Sequence, residues 1–440
     1  MRTLLILLVV FAVLLGVVYF YEIRGQKGRE EAKEKEQSLL KLEKDQISEI
    51  ELIRDDQSVL LRKSGNEWTI RKPIETRADT NAVEALVGAL TSARIDRKLE
   101  KPGPAAEYGL AKPRLRVRVK SAKREVTLLI GAKDFTGSQV YVQAQGDPSV
   151  YLTSDYFFTA SNKDLKALRN RKALVFDRDR VQSMEIQRPK ELIRLKRSGE
   201  RWMLESPIRD RADDSAVSGL LSALEFAEAR EFVTERADDL KPYGLDKPEV
   251  TVRIREEGQD AWRTLEFGKK KGDIYYARDT GRSPIFTVNY DIFDKVSQPL
   301  WAFRDKALVD VAQDRISRIS FKRADQEIVV RRQDDGKWII EKPDRLKGKE
   351  AQSYKFWYPL SDVRFESLET PDAWSRKVGQ KPEIQMEIQV TLTLKDGRNL
   401  VYEFARRGDK YLARRVDTGR TGVISKEAFD ALQLKPEDLV

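Results

Sequence analysis

Two Asp-Thr-Gly triplets are the strongest candidates for chemistry in this chain. Asp279-Thr280-Gly281 and Asp417-Thr418-Gly419 carry the signature with which bilobal aspartic proteases bring two carboxylates together to share a proton and activate water. Their neighbours point elsewhere. Each triplet falls between a tyrosine-containing strand pattern, Ile274–Arg278 or Tyr411–Arg414, and a second one, Ile285–Val288 or Gly422–Ser425. Aspartate and glycine at that place are what a β-hairpin turn requires. In addition, Arg278 stands where an apolar residue leads into a catalytic triplet. We therefore read both triplets as turns, and an aspartic-type hydrolase acting through Asp279 and Asp417 ranks third among the functional readings.

Little other chemistry is on offer. The 440 residues include no histidine and no cysteine, which excludes Ser-His-Asp and Cys-His triads, Cys/His zinc sites, thiolate nucleophiles and disulfides. The adjacent carboxylates Asp55-Asp56, Asp213-Asp214, Asp238-Asp239 and Asp334-Asp335 lack the dense ligand run and closing glutamate of a calcium loop, and read as turns and helix caps. There is no phosphate-binding Gly-x-x-x-x-Gly-Lys-Ser/Thr; Gly268-Lys269-Lys270-Lys271-Gly272 reads as a cationic loop between strands. We expect no enzyme, cofactor or metal.

The elements that position these residues repeat. Trp68, Trp202 and Trp338 each precede a short β-compatible run and then Pro73, Pro207 or Pro343. Ala78-Asp79 and Ala212-Asp213 open helices whose apolar positions, Val83, Leu86, Val87, Leu90 and Val217, Leu220, Leu221, Leu224, keep the i, i+3, i+4, i+7 spacing of one buried face. Asp79 and Asp213 are their N-caps. Tyr108-Gly109-Leu110-Ala111-Lys112-Pro113 is matched by Tyr243-Gly244-Leu245-Asp246-Lys247-Pro248, and each leads into a strictly alternating strand. The period is about 134 residues, the step from Trp68 to Trp202. A third, divergent unit keeps Trp338 and Lys381-Pro382 but has neither the Ala-Asp helix start nor the Tyr-Gly-Leu turn.

The expected fold is α+β: three tandem repeats, 46–176, 177–311 and 312–440, each a mostly antiparallel sheet with a packed helix. Recurrence at strand starts assigns the tryptophans to cores. Arg114, Arg116, Arg118 and Lys120 alternate along a strand and read as a solvated face. Tyr354, Phe356, Trp357 and Tyr358, which break the helix pattern of the other repeats, are a tentative partner surface.

Leu4–Phe20 is an uncharged run of 17 residues, near the lower limit for crossing a bilayer. It exceeds a signal-peptide core, and no small-x-small cleavage pattern follows, so residues 1–21 read as a retained transmembrane helix. Basic residues stand on both sides, Arg2 before and Arg24, Lys27, Arg29, Lys33 and Lys35 after, and charge alone does not orient it. Residues 22–45, with seven basic and seven acidic side chains, read as a charged helical stalk. The net charge of +10 therefore rests on the globular part, and the anchor argues against nucleic acid as a partner.

The anchor, the Trp…Pro…Ala-Asp pattern and the two Tyr-Gly-Leu-x-Lys-Pro turns together resemble a bacterial family known as domain of unknown function 4340. The resemblance implies a single-pass protein of the bacterial inner membrane with a periplasmic ectodomain. It further implies an accessory role beside ABC-transporter components of the gliding-motility type, and no catalytic residues. A module binding envelope glycans or anionic polymers through its basic strand faces is the second reading.

Overall fold

The computed structural model describes residues 37–440, except for 56, 370–373, 375–376, 379–380 and 383. The anchor expected at 4–20 and the stalk up to residue 36 lie outside the described residues. Among those described, no helix is long and apolar enough to cross a membrane. The chain divides into two compact units, 1–172 and 173–440.

The first unit is built on one nine-stranded sheet: β1 (Ile47–Arg54), β2 (Gln57–Ser64), β3 (Glu67–Lys72), β4 (Thr76–Arg77), β5 (Arg97–Lys98), β6 (Leu115–Ser121), β7 (Glu125–Lys133), β8 (Gln139–Ala144) and β9 (Tyr151–Ser154). The order is β4-β3-β2-β1-β6-β7-β8-β9-β5, with every pairing antiparallel. Two meanders thus meet at β1 and β6. Helix α1 (Thr80–Ser92) leaves one sheet edge at β4 and delivers the chain to the opposite edge at β5, so it has to cross a face. It buries Val83, Leu86, Val87 and Leu90 there, and the Asp79 carboxylate caps it by accepting from the Ala82 amide at 2.9 Å. On β6, Leu115, Val117 and Val119 point into the core while Arg116 and Lys120 face solvent. Short helices α2 (Asp155–Ser161) and α3 (Leu165–Leu168) close the unit.

The second unit holds two more such sheets. One comprises β10 (Val181–Arg188), β11 (Glu191–Ser198), β12 (Arg201–Ser206), β13 (Asp210–Arg211), β14 (Glu231–Thr234), β15 (Val250–Glu256), β16 (Arg263–Lys271), β17 (Ile274–Asp279) and β18 (Ile285–Asn289). Its crossing helix is α4 (Asp214–Phe226), capped by Asp213, followed by α5 (Tyr290–Val296) and α6 (Leu300–Phe303). The other has β19 (Ile316–Lys322), β20 (Glu327–Arg332), β21 (Trp338–Lys342), β22 (Glu350–Ala351) and β23 (Phe365–Glu369). After a separate two-stranded pair, β24 (Lys377–Val378) and β25 (Lys381–Pro382), it continues with β26 (Gln385–Leu394), β27 (Asn399–Arg407), β28 (Lys410–Arg415) and β29 (Arg420–Ile424). All three sheets share one strand order. The protein is therefore mostly β, three nine-stranded antiparallel sheets with a few helices, where the sequence suggests a more even α+β balance. The first two repeats each spend 13 residues on a crossing helix, and every repeat spends nine strands on its sheet.

Two expectations are corrected. The end of the stalk is not helical: Ser38 forms an isolated bridge with Arg94, Lys44–Gln46 is a single 3-10 turn, and Leu40 and Leu42 are buried in the first core. The same device precedes the other two sheets. The Leu39 amide donates to the Ala93 carbonyl, Ala173 to Ala227 and Leu308 to Val363. Leu174 belongs to the second core and Leu308 to the third. An apolar strap ahead of each sheet thus closes the helix side of that sheet, several residues before the first strand begins.

The third repeat, moreover, does have a crossing element. A 3-10 turn, Ser353–Lys355, and α7 (Trp357–Ser361) stand in for the long helix. So short an element offers few inward positions, and large aromatic side chains fill the volume. Phe356 is fully buried and Trp357 nearly so, with the Phe356 ring edge-on to Trp338 at 5.4 Å. These two are core residues and leave the tentative partner surface; Tyr354 and Tyr358 remain exposed.

Candidate functional site

The residues that define the repeat act on the backbone. Ala105–Tyr108 and Lys241–Tyr243 are 3-10 turns that end on Gly109 and Gly244, both left-handed at φ 68°, a conformation that favours glycine. Each turn seats against a second glycine in the neighbouring strand, Gly131 of β7 or Gly268 of β16. A Cβ on either would collide with the carbonyl oxygen of Tyr108 or Tyr243. The reciprocal contact is as close: a Cβ on Gly109 would stand 2.8 Å from the Ala132 nitrogen, and one on Gly244 the same distance from the Lys269 nitrogen. The strands bulge where they receive the turn, between Ile130 and Lys133 and between Phe267 and Lys270.

Leu110 and Leu245 are buried, and Pro113 and Pro248 half-buried. Tyr108 packs on Tyr141 at 4.9 Å between ring centres and Tyr243 on Tyr276 at 5.2 Å. Trp68, Trp202 and Trp338 are buried in their cores; the Trp68 indole also donates to Glu84 at 3.2 Å. The glycines that receive the turn escaped the sequence reading. The available signal was a lone glycine inside each alternating strand, which marks a close approach of backbone. Lys269–Lys271, expected in a loop, instead complete β16, because the bulge at Gly268 lets the strand continue beyond the docked turn.

The third sheet shows what happens without a turn. Ala405 takes the receiving position and packs with Ile384 and Leu412, with Trp374 beside them. The β27–β28 ladder runs unbroken from Tyr402 to Arg407.

Both Asp-Thr-Gly triplets lie in hairpins. Asp279 ends β17, where its carboxylate accepts from the Gly281 amide at 3.0 Å and from Arg282 at 2.8 Å. Asp417 joins β28 to β29, and Arg415 donates to its two oxygens at 2.7 and 2.9 Å. That hydrogen bond holds the Asp417 carboxyl below its ordinary range, opposite to the raised member of a proton-sharing pair. The adjacent aspartates act on nearby backbone as well. Asp214 accepts from the Trp202 amide, Asp239 from Lys241 and Asp335 from Lys337. Among the described residues no group of three acidic, histidine or cysteine side chains could hold a metal ion.

A cluster of charged residues in the second unit lines a cleft of about 490 Å³. Asp210 and Arg211 of β13, Arg304 after α6, Asp310, Arg415 and Arg420 of the third sheet meet here. Arg304 binds Asp210 at 2.7 Å, Arg211 binds both Asp305 and Asp310, and Arg415 reaches Asp310 at 2.5 Å. Arg420 lies 3.5 Å from Asp210 and donates to the Asp305 carbonyl; burial draws its pKa down. Beneath them the Tyr402 ring is fully buried, and burial pushes its hydroxyl pKa well up. Arg211, Arg304, Arg415 and Arg420 each have an aspartate partner in or beside this cleft, and the pairs Arg211–Asp310 and Arg420–Asp210 hold the second and third sheets to each other.

Two residues of the basic row at β6 are engaged as well, while Arg116 and Lys120 face solvent. Arg118 pairs with Glu51 on β1, and Arg114 stacks over the Phe158 ring at 3.9 Å.

Two segments, residues 68–213 and 202–382, match the family described as Domain of unknown function (DUF4340). The matches start at Trp68 and Trp202, one repeat apart, and together cover more than half of the chain. The protein belongs to this family. No curated protein matches it. Among solved structures, a DNA polymerase sliding clamp from Pseudomonas aeruginosa, crystallised with ligand, aligns over 89% of this chain and 95% of its own. It does so at 8% identity and a TM-score of 0.13, and carries no argument about fold or function.

Proposed function

We propose that the protein is a non-enzymatic, membrane-anchored extracytoplasmic interaction protein, an accessory subunit of an ABC-type export or gliding-motility-like transport system. One observation carries the non-enzymatic part. The side chains with catalytic precedent, Asp279 and Asp417, are each bound to an arginine within their own hairpin, and in the charged cleft Arg211, Arg304, Arg415 and Arg420 are each paired with an aspartate. What the chain offers instead is a repeated scaffold with exposed aromatic side chains, among them Tyr354 and Tyr358 of the third sheet.

The anchor reading rests on Leu4–Phe20, and the transporter association on the family resemblance. Capture of the full-length protein from mildly solubilised native membranes, with mass spectrometry of what accompanies it, tests the proposal. Co-purification of transporter subunits, reduced by Tyr354→Ala with Tyr358→Ala, is the expected result; recovery without any transporter subunit would overturn it.

One feature favours the glycan or anionic-polymer reading as an alternative. Lys269, Lys270 and Lys271 are exposed in succession on β16, with Lys270 over the Tyr290 ring at 4.7 Å and Lys271 over Tyr276 at 5.9 Å. Salt-sensitive binding to envelope polysaccharide, lost when the three lysines are replaced, distinguishes that role.

A further inference from the structure

The hairpin between the seventh and eighth strands of each sheet differs among the repeats. In the second and third sheets it is a two-residue polar turn, Gly272-Asp273 or Gly408-Asp409. In the first, five residues, Asp134-Phe135-Thr136-Gly137-Ser138, separate β7 from β8. Phe135 at their tip is 99% exposed.

This loop is held in shape. The Asp134 carboxylate accepts from the Gln139 amide at 3.0 Å and from the Thr136 hydroxyl at 2.7 Å. The Asp134 carbonyl accepts from the Gly137 amide, and Thr136 bonds Ser138. A phenylalanine is thus presented to solvent by a braced turn.

A second aromatic stands beside it. The Asp155 amide donates to the Ser138 carbonyl just as the Tyr290 amide donates to Asp273, which aligns exposed Tyr156 with Asp291. The N-cap serines Ser154 and Ser425 align it with Glu427. Where the other repeats carry an acid, the first carries a tyrosine. The acids that remain nearby are engaged, Asp134 within the loop and Asp155 with Lys133 at 2.7 Å.

The position of this tip identifies its occupant. The described chain begins at Gln37, whose carbonyl accepts from the Ile95 amide at 2.8 Å. Next to Ile95, the Asp96 carboxylate accepts from Gln139, the first residue after the loop, at 2.9 Å. On the C-terminal side of the apolar run Leu4–Phe20, the described chain therefore begins beside the foot of the one hairpin, among the three, that has been lengthened and made aromatic. Phenylalanine and tyrosine are side chains of the membrane–water interface. A tethered domain also meets its own membrane at high effective concentration, so a small insertion suffices to hold it.

We propose that the Phe135 hairpin, with Tyr156, inserts into the lipid headgroup region of the membrane that anchors the chain, and fixes the first sheet against the bilayer. This rests on the reading of residues 4–20 as the anchor.

The chain has no cysteine, so single labels can be placed cleanly. Full-length Phe135→Cys, Tyr156→Cys and Asp273→Cys variants would be reconstituted into vesicles of phosphatidylethanolamine and phosphatidylglycerol. Each would then be labelled from outside with an environment-sensitive fluorophore. The expected result is blue-shifted emission at 135 and 156, quenched by lipids bearing a shallow nitroxide and shielded from iodide, with 273 open to iodide. Adding Phe135→Asp to the Tyr156→Cys variant should return its probe to water.

Iodide quenching at 135 equal to that at 273 would overturn the proposal, as would shielding without nitroxide quenching, which marks a protein contact. Flotation with the vesicles after an alkaline wash scores the anchor separately. A chain that floats with a wet position 135 overturns insertion alone, and a chain that does not float overturns both readings.

Discussion

The carbonyl oxygen of Tyr108 fills the space that a side chain on Gly131 would need. The pair lies 23 positions apart in sequence, and the same pair recurs as Tyr243 and Gly268. The most recognisable motif of the chain is thus one half of a lock whose other half is a featureless glycine in a strand. Side chains play a supporting part, through the buried Leu110 and Leu245 and the packing of Tyr108 on Tyr141 and Tyr243 on Tyr276.

Alanine at Gly131 or Gly268 must displace backbone, which is costlier than displacing a flexible side chain. The expected destabilisation is at least about 1–3 kcal/mol, the range for overpacking, measured by denaturant unfolding. Gly219 provides the contrast. It lies inside α4 with open space around its would-be Cβ, and Gly219→Ala should stabilise by up to about 1 kcal/mol through helix propensity.

Leu308 precedes the third sheet in sequence but is buried in its core. Leu308→Ala should cost about 2–5 kcal/mol. Hydrogen exchange should show the protection lost around Val363 and Phe365, leaving the second core less affected.

Asp310 receives Arg211 on one oxygen and Arg415 on the other. Its removal takes one of two carboxylate partners from each of two partly buried guanidinium groups, Asp305 staying with Arg211 and Asp417 with Arg415, and Asp310→Ala should destabilise by about 1.5–3 kcal/mol. Asp325, an exposed partner of Arg323, is the control, with an expected change below about 1 kcal/mol. Thermal unfolding of both variants at moderate salt separates the two cases.

Acid should weaken the second unit through carboxylates that its arginines and lysines stabilise. Asp417, held down first by the Arg415 hydrogen bond, and Glu327, held down first by Lys342, both sit below their ordinary pKa. A lowered folded-state pKa gives stability that is complete above the unfolded value, about 4, and is lost as pH falls through the folded value. Glu249, raised by burial, works in the opposite direction. The unfolding temperature should therefore fall below about pH 4, with a shallower slope in Asp417→Asn.

Asp279→Asn keeps the side-chain oxygen that receives the Gly281 amide but loses the charge facing Arg282. It should lower stability and leave no proteolytic activity to lose. A peptide-cleaving activity in the parent chain that disappears in this variant would contradict the hairpin reading.

Much of the fold was legible where the pattern is local. The helix faces of α1 and α4, their aspartate caps, the alternation of β6 and β15 and the hairpin triplets all depend on residues within a few positions of one another. What escaped depends on distant partners. Gly131 has meaning only through Tyr108, Leu308 only through the sheet that follows it, and Lys269–Lys271 became strand only because of a bulge. Phe356 and Trp357 misled because aromatic residues outside a recognised periodicity resemble a surface patch. Sequence spacing could not reveal that a shortened helix needs large side chains to fill its core. Of the four residues proposed for a partner surface, Tyr354 and Tyr358 lie outside and Phe356 and Trp357 within the core.

The straps at Leu39, Ala173 and Leu308 also bear on how such a chain can grow. Because every sheet is closed by residues lying upstream of it, the natural seams fall near 37, 172 and 306 rather than at the first strand of each repeat. A gene segment cut at those seams carries its own lid. One cut at the strand boundaries would leave its lid attached to its neighbour.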